Sequence, residues 1–493
     1  MIDRREFLQR AATVAIGAGA AGVVSGFRFD ALSGPFRELA REIEGAVVTP
    51  GSPAYQRDKV SVDSRFDGAH PRAIVYCQSA EDVEKTVRWA QKHTIHLVPR
   101  CGGHSYGGYS TTSKGVVVDL SRMHGVHVRN GIATVGAGAR LIDVYAPLAA
   151  HGLTVPAGSC PTVGIGGLAQ GGGVGYAGRK FGLTCDNIVG LSLVTAEGRR
   201  LDCSAHENPD LFWACRGGGG GNFGIATRFR FRTHRVGEVS YYEVVWPWSD
   251  AARVVRAWQE FAPHAPAELF STLYLATNGT RGPGTQPFVS SGGQFFGSET
   301  ELRSLITPLA SAGSPTLVTA GTLSYLEAIM RWAGCHPLEQ CHVVGHHRFK
   351  GKSDYLDVPL SSEGINTLLA GLEASQTSTT LGGAALLFDA YGGAINRVHP
   401  AATAFVHRNA LFSIQYVSSW AGRGAGDLRW IRKLYAAMRP HVSGFAYQNY
   451  IDPDLKTWQH AYYGSNLGRL AAVKQTYDPQ GFFHFAQSIP TRV

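Results

Sequence analysis

One histidine stands inside a glycine-rich loop, where a reactive side chain can lie beside exposed backbone. His104 is flanked by glycines in segment 100–109, RCGGHSYGGY. Such glycines can present successive backbone N–H groups to a pyrophosphate. The segment lacks the G-x-G-x-x-G order of a Rossmann site, and a lone histidine in a glycine loop is structural about as often as it is reactive. The residues alone therefore leave both readings of His104 open.

Two further segments concentrate glycine. Cys160 lies in segment 156–175, PAGSCPTVGIGGLAQGGGVG. Its thiolate would be a nucleophile, although a lone cysteine is ordinarily a buried, inert side chain. Five glycines at 217–221 precede NFGI at 222–225. They could form a flexible linker, but a strand-like run at 225–231 follows at once and favours an ordered loop.

Local patterns predict the elements around these segments. Ser79 caps a predicted helix that runs to about His93, with Asp82 as the capping-box acid. Strands at 95–99 and 115–120 follow on either side of the histidine loop, making a βαβ-like unit. Further predicted elements are strands at 132–135 and 187–195 and a helix at 141–151.

The sequence pattern changes in the region from about 239 to 445. Longer alternations, such as 404–416, are separated by helical segments such as 427–438. Long alternating strands are typical of an antiparallel sheet with one face covered. The chain as a whole is therefore predicted to be α+β.

Three segments in fixed order resemble the motifs of the berberine bridge enzyme-like oxidases, in the vanillyl-alcohol oxidase or PCMH-type flavoprotein superfamily. They are 100–108, 156–175 and the C-terminal YQNY at 447–450, and the resemblance extends from about residue 70 to the end of the chain. It implies a two-part PCMH-type FAD-binding domain plus a substrate domain whose antiparallel sheet is covered by helices.

The resemblance also implies domain boundaries. The FAD-binding domain comprises 35–235 and a returning C-terminal segment, 445–493. The substrate-binding domain occupies 236–444, and residues 1–34 precede the fold as a signal region.

The resemblance implies that FAD is covalently bound through His104, by an 8α-histidyl bond, and through Cys160, by a 6-S-cysteinyl bond. Imidazole and thiolate are the nucleophiles that these two flavin positions require. Further cofactor contacts are expected from Arg100, Cys101, Gly102, Gly103, Ser105, Gly107, Gly108, Val163, Gly164, Gly167, Gly171, Gly172, Gly175, Gly220, Gly221, Asn222, Gly224, Ile225, Tyr447 and Asn449.

For catalysis the resemblance implies Tyr450 as base, which requires a pKa lowered from about 10. Asp389 matches an assisting aspartate, although it could equally be a turn residue before two glycines. Gln415 and Tyr106 are expected to contact substrate. Because Gln415 replaces the glutamate base of plant alkaloid-cyclising members and cannot usefully accept a proton, carbon–carbon bridge formation is disfavoured.

Three other positions bear on the reaction type. Val163 fits the small gatekeeper of oxygen-reactive members, whereas Leu168 and Phe181 depart from plant-type residues. We expect an oxidase that takes hydride from a hydroxyl-bearing carbon of a sugar, glycosylated metabolite or aromatic alcohol and reduces O2 to H2O2. The alternatives are a secondary-metabolite tailoring dehydrogenase with poor oxygen reactivity and a flavin-carrying binding protein.

The N-terminus predicts export. DRREFL at 3–8 precedes an Ala- and Gly-rich apolar stretch at 11–24 that is short for a membrane span. This order resembles a twin-arginine signal, with an amphipathic helix as the alternative. The expected location is secreted, or periplasmic and cell-envelope, after transient contact with the Tat translocase and without stable membrane insertion.

Composition bears on nucleic-acid binding, disulfide content and metal sites. The net charge of +9 is scattered, without a basic run, so no nucleic-acid partner is expected. Eight cysteines in 493 residues do not form a disulfide scaffold, although Cys335 and Cys341 could pair. His346-His347 lacks metal-ligand spacing, so no metal site is predicted and both histidines are assigned to domain lining or surface.

Overall fold

The predicted βαβ-like unit is present in a four-stranded sheet. The computed structural model describes residue 32 and residues 34–492, so the export segment predicted at 3–24 lies outside the described residues. The strands of this sheet are β1 (Ala46–Val48), β2 (Ala73–Tyr76), β3 (His96–Arg100) and β4 (Gly115–Asp119). Their order is β1-β2-β4-β3, in which β2, β4 and β3 run parallel.

The helix between β2 and β3, Ala80–Lys92, begins at the predicted cap. The Ser79 side chain accepts a hydrogen bond from the Asp82 N–H at 3.2 Å. In place of the reciprocal hydrogen bond of the predicted capping box, the Asp82 carboxylate accepts hydrogen bonds from the N–H groups of Gln78 and Glu44. Asp82 therefore ties the helix to the segment that precedes the first strand.

A second sheet is antiparallel and follows directly. Its strands are β5 (Val126–Arg129), β6 (Ile132–Gly136), β8 (Ile188–Val194), β9 (Arg200–Cys203) and β10 (Ile225–Arg232), in the order β5-β6-β10-β8-β9. A short pair joins β7 (Leu153–Thr154) to β11 (His234–Arg235).

The third sheet is the predicted large antiparallel one. Its strands are β12 (Glu238–Trp246), β13 (Leu269–Ala276), β14 (Phe288–Phe295), β15 (Leu317–Ser324), β16 (Arg348–Leu356), β17 (Gly383–Ala390) and β18 (Phe412–Trp420). They are ordered β15-β12-β14-β13-β17-β18-β16. Side chains alternate between faces: Phe412, Ile414 and Tyr416 enter the apolar core, and Gln415 points to the opposite face.

Helices cover one face of the large sheet, as predicted. The longer helices of the described chain are α1 (Pro35–Glu42), α3 (Ala80–Lys92), α4 (Leu141–Ala149), α8 (Ala251–Phe261), α9 (Glu299–Ala310), α10 (Tyr325–Ala333), α11 (Ser362–Gln376), α13 (Ala425–Met438) and α15 (Leu467–Tyr477). The short helices are α2 (Tyr55–Asp58), α5 (Ile165–Gly171), α6 (Gly178–Phe181), α7 (Pro209–Ala214), α12 (Ala394–Arg397) and α14 (Trp458–Tyr463). Apolar residues of α8, α9, α11 and α13 share one core with the sheet.

The alternation predicted at 404–416 becomes a strand only from Phe412, and the strand extends to Trp420. Before it, Arg408 is buried and donates to both carboxylate oxygens of Asp186. A buried guanidinium needs that partner, so this segment is held as a loop between the two regions of the chain.

The C-terminal segment packs into the first core. Tyr447, Tyr463 and Phe483 belong to the same buried apolar cluster as the residues of β4 and β8. The domain boundaries at 34, 235 and 444 remain a prediction.

Candidate flavin-binding and catalytic site

The hydroxyl of Thr162 lies between the two predicted attachment residues. His104 Nε2 lies 3.0 Å from Thr162 Oγ1, and Cys160 Sγ lies 3.7 Å from the same oxygen. Thr162 is itself buried. An imidazole and a thiol that share one hydroxyl are close enough to face a single aromatic ring.

Glycine is required where the two loops meet. A Cβ on Gly102 would lie 2.4 Å from the Gly164 nitrogen, and a Cβ on Gly164 would lie 2.4 Å from the Gly102 nitrogen. A Cβ on Gly166 would lie 2.6 Å from the Ala137 carbonyl oxygen. Any side chain here would force the backbones apart, so these glycines bring His104 and Cys160 together.

The two predicted nucleophiles differ in protonation. Burial lowers the pKa of His104 to about 4, with a further contribution from Arg140, so its imidazole is neutral and keeps a lone pair at neutral pH. Cys160 is exposed, which argues against an inert thiol. Desolvation raises the pKa of the Cys160 thiol, while the Thr162 hydroxyl and the N–H groups of Thr162 and Val163 act in the opposite direction.

The glycine-rich backbone offers room for a cofactor. Gly167 is exposed, and a Cβ placed on it would meet no atom within 4 Å. Gly220 and Gly221 are partly exposed, and a Cβ placed on either would lie at least 3.4 Å from its nearest neighbour. Together with the neutral imidazole and the accessible thiol, this open backbone fits the FAD predicted from the sequence.

Other predicted cofactor residues organise these loops. The Tyr447 hydroxyl accepts from the Gly173 N–H at 2.6 Å, and the Asn449 amide donates to the Leu168 carbonyl at 3.0 Å. The Asn222 amide donates to the Gly218 and Gly219 carbonyls at 3.1 Å. These bonds shape the glycine segments from within.

Four predicted cofactor residues are committed to packing. Arg100 is buried and donates to Asp119 at 2.6 Å. Ile225 is buried in the core. A Cβ on Gly224 would clash with Leu193, and a Cβ on Gly175 would clash with a backbone carbonyl. These four residues therefore support the loops by close packing.

The predicted catalytic tyrosine stacks on another predicted site residue. The rings of Tyr450 and Tyr106 lie 5.2 Å apart between centroids and 14° from parallel. The Tyr106 hydroxyl accepts from Gln415 Nε2 at 2.7 Å, and Tyr447 contacts Tyr450 edge-on at 4.9 Å. A negative charge on Cys160 would raise the pKa of Tyr106, so this tyrosine cluster adjoins the predicted attachment residues.

The surroundings of Tyr450 do not lower its pKa. Burial raises the pKa of Tyr450 well above its ordinary value, and Tyr106 and Asp389 add to the rise. The groups of the described chain thus oppose the shift that the sequence prediction required. They also place the Asp389 carboxylate close enough to act electrostatically on Tyr450.

Sequence reasoning missed several residues at this site. Thr162 was inside a recognised motif, and its position two residues after Cys160 was the available signal. Phe349 packs edge-on against Tyr106 at 4.9 Å, and Gly351 also contacts that ring. Nothing in the local sequence of the strand pointed to the tyrosine.

The vicinal histidines contact other protein groups. His346 bonds the Ser61 carbonyl at 2.9 Å and Asp67 at 3.1 Å, whereas His347 packs against Phe349. Within residues 34–492, no group of three or more His, Cys, Asp or Glu side chains is arranged to hold a metal ion. Every helix in the described chain falls short of the length and apolarity that a bilayer crossing needs.

The suggested pairing of Cys335 with Cys341 is confirmed as a disulfide. It closes a short loop after α10, in the region that precedes β16.

Known proteins are similar to this chain along most of its length. A sequence profile described as an FAD binding domain matches residues 71–204, and one described as berberine and berberine like matches 446–490. The uncharacterized FAD-linked oxidoreductase YgaK of Bacillus subtilis (strain 168) is 35% identical over 462 residues, which are 91% of this chain and 97% of the relative. This chain belongs to the berberine bridge enzyme-like family.

Solved structures of the berberine bridge enzyme-like family have the same fold. Physcomitrella patens BBE-like 1 superposes with a TM-score of 0.85 and 33% identity, over 93% of this chain and 99% of the other. A chitooligosaccharide oxidase superposes with a TM-score of 0.83 and 28% identity over the same shares. The protein is therefore an FAD-linked oxidoreductase of the PCMH-type α+β fold, as the sequence predicted.

Proposed function

We propose that this berberine bridge enzyme-like protein is an oxidase with FAD bound covalently through His104 and Cys160. It oxidises a hydroxyl-bearing carbon of a sugar, glycosylated metabolite or aromatic alcohol and reduces O2 to H2O2. The observation that carries the proposal is the meeting of a neutral imidazole and an accessible thiol at Thr162, beside the stacked pair of Tyr106 and Tyr450.

The reaction divides between cofactor and protein. FAD, held by His104 and Cys160, would supply a hydride acceptor for the substrate carbon and a two-electron donor for O2. The substrate hydroxyl must lose its proton at the same time, which is the task of a base within hydrogen-bond reach. Overall, an alcohol and O2 become a carbonyl compound and H2O2.

Tyr450 can serve as that base by passing a proton onward. Because its pKa is raised, its phenol is protonated at neutral pH and cannot simply accept another proton. It can take the substrate proton if its own moves to a neighbouring acceptor, and Asp389 is the carboxylate whose charge reaches it. Tyr450 and Asp389 would thus act as a relay, which gives the predicted Asp389 a definite role.

Gln415 and Tyr106 are placed to orient the substrate. The Gln415 amide donates to the Tyr106 hydroxyl, which leaves the phenolic proton able to donate to a substrate oxygen. A glutamine at this position supplies no base, so these residues support hydroxyl orientation beside Tyr450.

The substrate class follows from polarity and from one structural relative. Asp389, Gln415 and Thr272 lie on the face of the large sheet opposite its helices, and Thr272 pairs directly with Asp389. Such a polar face suits a substrate with several hydroxyl groups. The chitooligosaccharide oxidase of the same fold supports sugars as the first class to test.

The covalent bond and the reaction can be tested separately. The purified protein should stay yellow after acid denaturation, and intact mass should show one added FAD. Xylobiose, cellobiose, diacetylchitobiose and coniferyl alcohol should then be tested for anaerobic bleaching and, in air, for peroxide.

The outcomes separate the alternatives. Bleaching followed by stoichiometric peroxide supports the oxidase. Bleaching that persists in air would replace it with a dehydrogenase, and no bleaching by any class would favour a flavin-carrying binding protein. A colourless pellet together with a bare apoprotein mass would refute covalent attachment.

We also propose export through the Tat translocase to the cell envelope or exterior, on the basis of the twin arginines at Arg4 and Arg5. Replacement of both by lysine should leave active enzyme in the cytoplasm. Unchanged export of that variant would refute the route.

A further inference from the structure

Strand β16 contacts Tyr106 on one face and, on the other, the turn that follows Tyr450. Alternate side chains of a strand point to opposite faces. On one face, Phe349 packs edge-on against Tyr106, and a Cβ on Gly351 would lie only 2.5 Å from the Tyr106 ring. This face of the strand therefore restricts where the Tyr106 ring can lie.

The opposite face of β16 carries two buried lysines. Lys350 and Lys352 each donate to Asp452, one to each carboxylate oxygen. The two lysine side chains and that of Asp452 are at most 4% exposed. Asp452 lies two residues after Tyr450, so the same strand holds the turn that carries the second tyrosine.

The turn has further restraints at Asp452. Its N–H donates to the Tyr462 hydroxyl at 2.8 Å, and its carbonyl accepts from the Gln487 amide at 2.8 Å. Asp454, which pairs with the exposed Arg432, lies 3.4 Å from Lys350 and 3.6 Å from Lys352. Backbone and carboxylate of Asp452 are thus fixed together.

Removing the charges of Lys350, Lys352 and Asp452 from water costs free energy. Buried ion pairs of this kind often stabilise a fold no more than apolar packing would. Their directional bonds do restrict position, because a carboxylate with two ammonium partners has one favourable orientation. Position, more than stability, is therefore the property that Lys350, Lys352 and Asp452 supply.

We propose that β16 sets the geometry of the Tyr106–Tyr450 stack. Gly351 seats Tyr106, and Lys350 and Lys352 hold Tyr450 through Asp452. These four are positioning residues, and the proposal rests on the proposed role of Tyr450 as proton relay. The strand couples the substrate-orienting tyrosine to the base, so displacement of either ring should affect the chemical step more than substrate binding.

The first test is Gly351→Ala, with Gly371→Ala as matched control. A Cβ on Gly371 would lie 2.4 Å from a Leu434 methyl carbon, far from the tyrosines, so the two variants carry similar overpacking. With the panel compound that bleaches the wild type, Gly351→Ala should slow anaerobic flavin reduction by about ten-fold or more. Substrate dissociation constants should change little in both variants. Equal reduction rates for the two variants would overturn the proposal.

A second variant acts from the other face. Lys352→Met replaces a charged side chain with an uncharged one of similar length. Lys350 and Arg432 then remain to balance the charges of Asp452 and Asp454. It should slow reduction, whereas Arg432→Gln, on the exposed rim of the cluster, should not. If Gly351→Ala fails to fold, a normal reduction rate in Lys352→Met overturns the proposal by itself.

Combination with Tyr450→Phe separates this inference from the proposed function. Residues that act through one another give non-additive effects, so Gly351→Ala should cause no further slowing in the Tyr450→Phe background. Full additivity would refute positioning through Tyr450. A normal rate in Tyr450→Phe alone would refute the relay, and absence of bleaching by the whole panel would remove both proposals.

Discussion

Tyr106 and Tyr450, which come from opposite ends of the chain, stack with ring centroids 5.2 Å apart and planes 14° from parallel. Tyr106 lies two residues after His104, and Tyr450 belongs to the C-terminal segment. Their contact therefore brings the residues proposed for cofactor attachment, substrate orientation and proton transfer into one cluster.

Replacement of Tyr450 by phenylalanine should slow flavin reduction by at least about 10²-fold, the lower range for loss of a general base. The ring stack survives, so substrate affinity and melting temperature should change little. Anaerobic stopped-flow absorbance measures the rate. Tyr477→Phe, which removes a hydroxyl bound to Asp210 away from the site, is the control. A Tyr450→Phe rate within two-fold of this control would contradict the assignment.

Removal of the attachment residues should reveal two independent bonds. His104→Ala and Cys160→Ala should each keep yellow colour after acid denaturation, since one bond remains. The double variant should release all its FAD, as intact mass would show. Cys203→Ala, at a buried thiol, should retain both bonds. Complete colour loss from either single variant would contradict two attachments.

Thr162→Val should slow covalent FAD incorporation by about five-fold, the rate equivalent of one hydrogen bond of about 1 kcal/mol. The valine has similar shape but cannot bond His104 or polarise Cys160. Mass spectrometry of apoenzyme mixed with FAD follows the reaction. Thr162→Ser, which keeps the hydroxyl, should restore the rate, and equal rates for the two variants would exclude a role for it.

Buried neutral histidines should make the fold sensitive to mild acid. His407 stacks on Tyr355 at 4.2 Å, and burial lowers its pKa to about 3. Between pH 6.5 and 3 the unfolded chain binds a proton at His407 that the folded chain does not. The free energy of unfolding therefore keeps the full contribution of neutral His407 above pH 6.5. It falls by about 1.4 kcal/mol per pH unit as the pH decreases below that value.

His407→Phe preserves an aromatic ring and removes that titration. Urea unfolding at pH 7.5 and pH 5 should show a smaller loss of stability in the variant than in the wild type. His127→Gln, at an exposed residue, should follow the wild type. Parallel losses in all three proteins would show that His407 does not titrate as its burial requires.

Local sequence predicted the main strands and helices and the glycine-rich loops, although it did not predict where β18 begins. The valine run of β4, the Ser79 cap and the alternation of β18 each depend on neighbours a few residues away. The glycines around His104 and Cys160 also carry their meaning locally, because backbone conformation and close approach are properties of short segments. The large antiparallel sheet with helices on one face followed from the same reasoning.

Only the tertiary structure decided how the site works. The shared hydroxyl of Thr162 depends on the docking of two loops through Gly102 and Gly164. The raised pKa of Tyr450 depends on burial by residues from distant parts of the chain, and the roles of Gly351 and Asp452 depend on which face of β16 meets which tyrosine. Desolvation and side-chain contact are properties of three-dimensional surroundings, so short-range sequence patterns do not determine them.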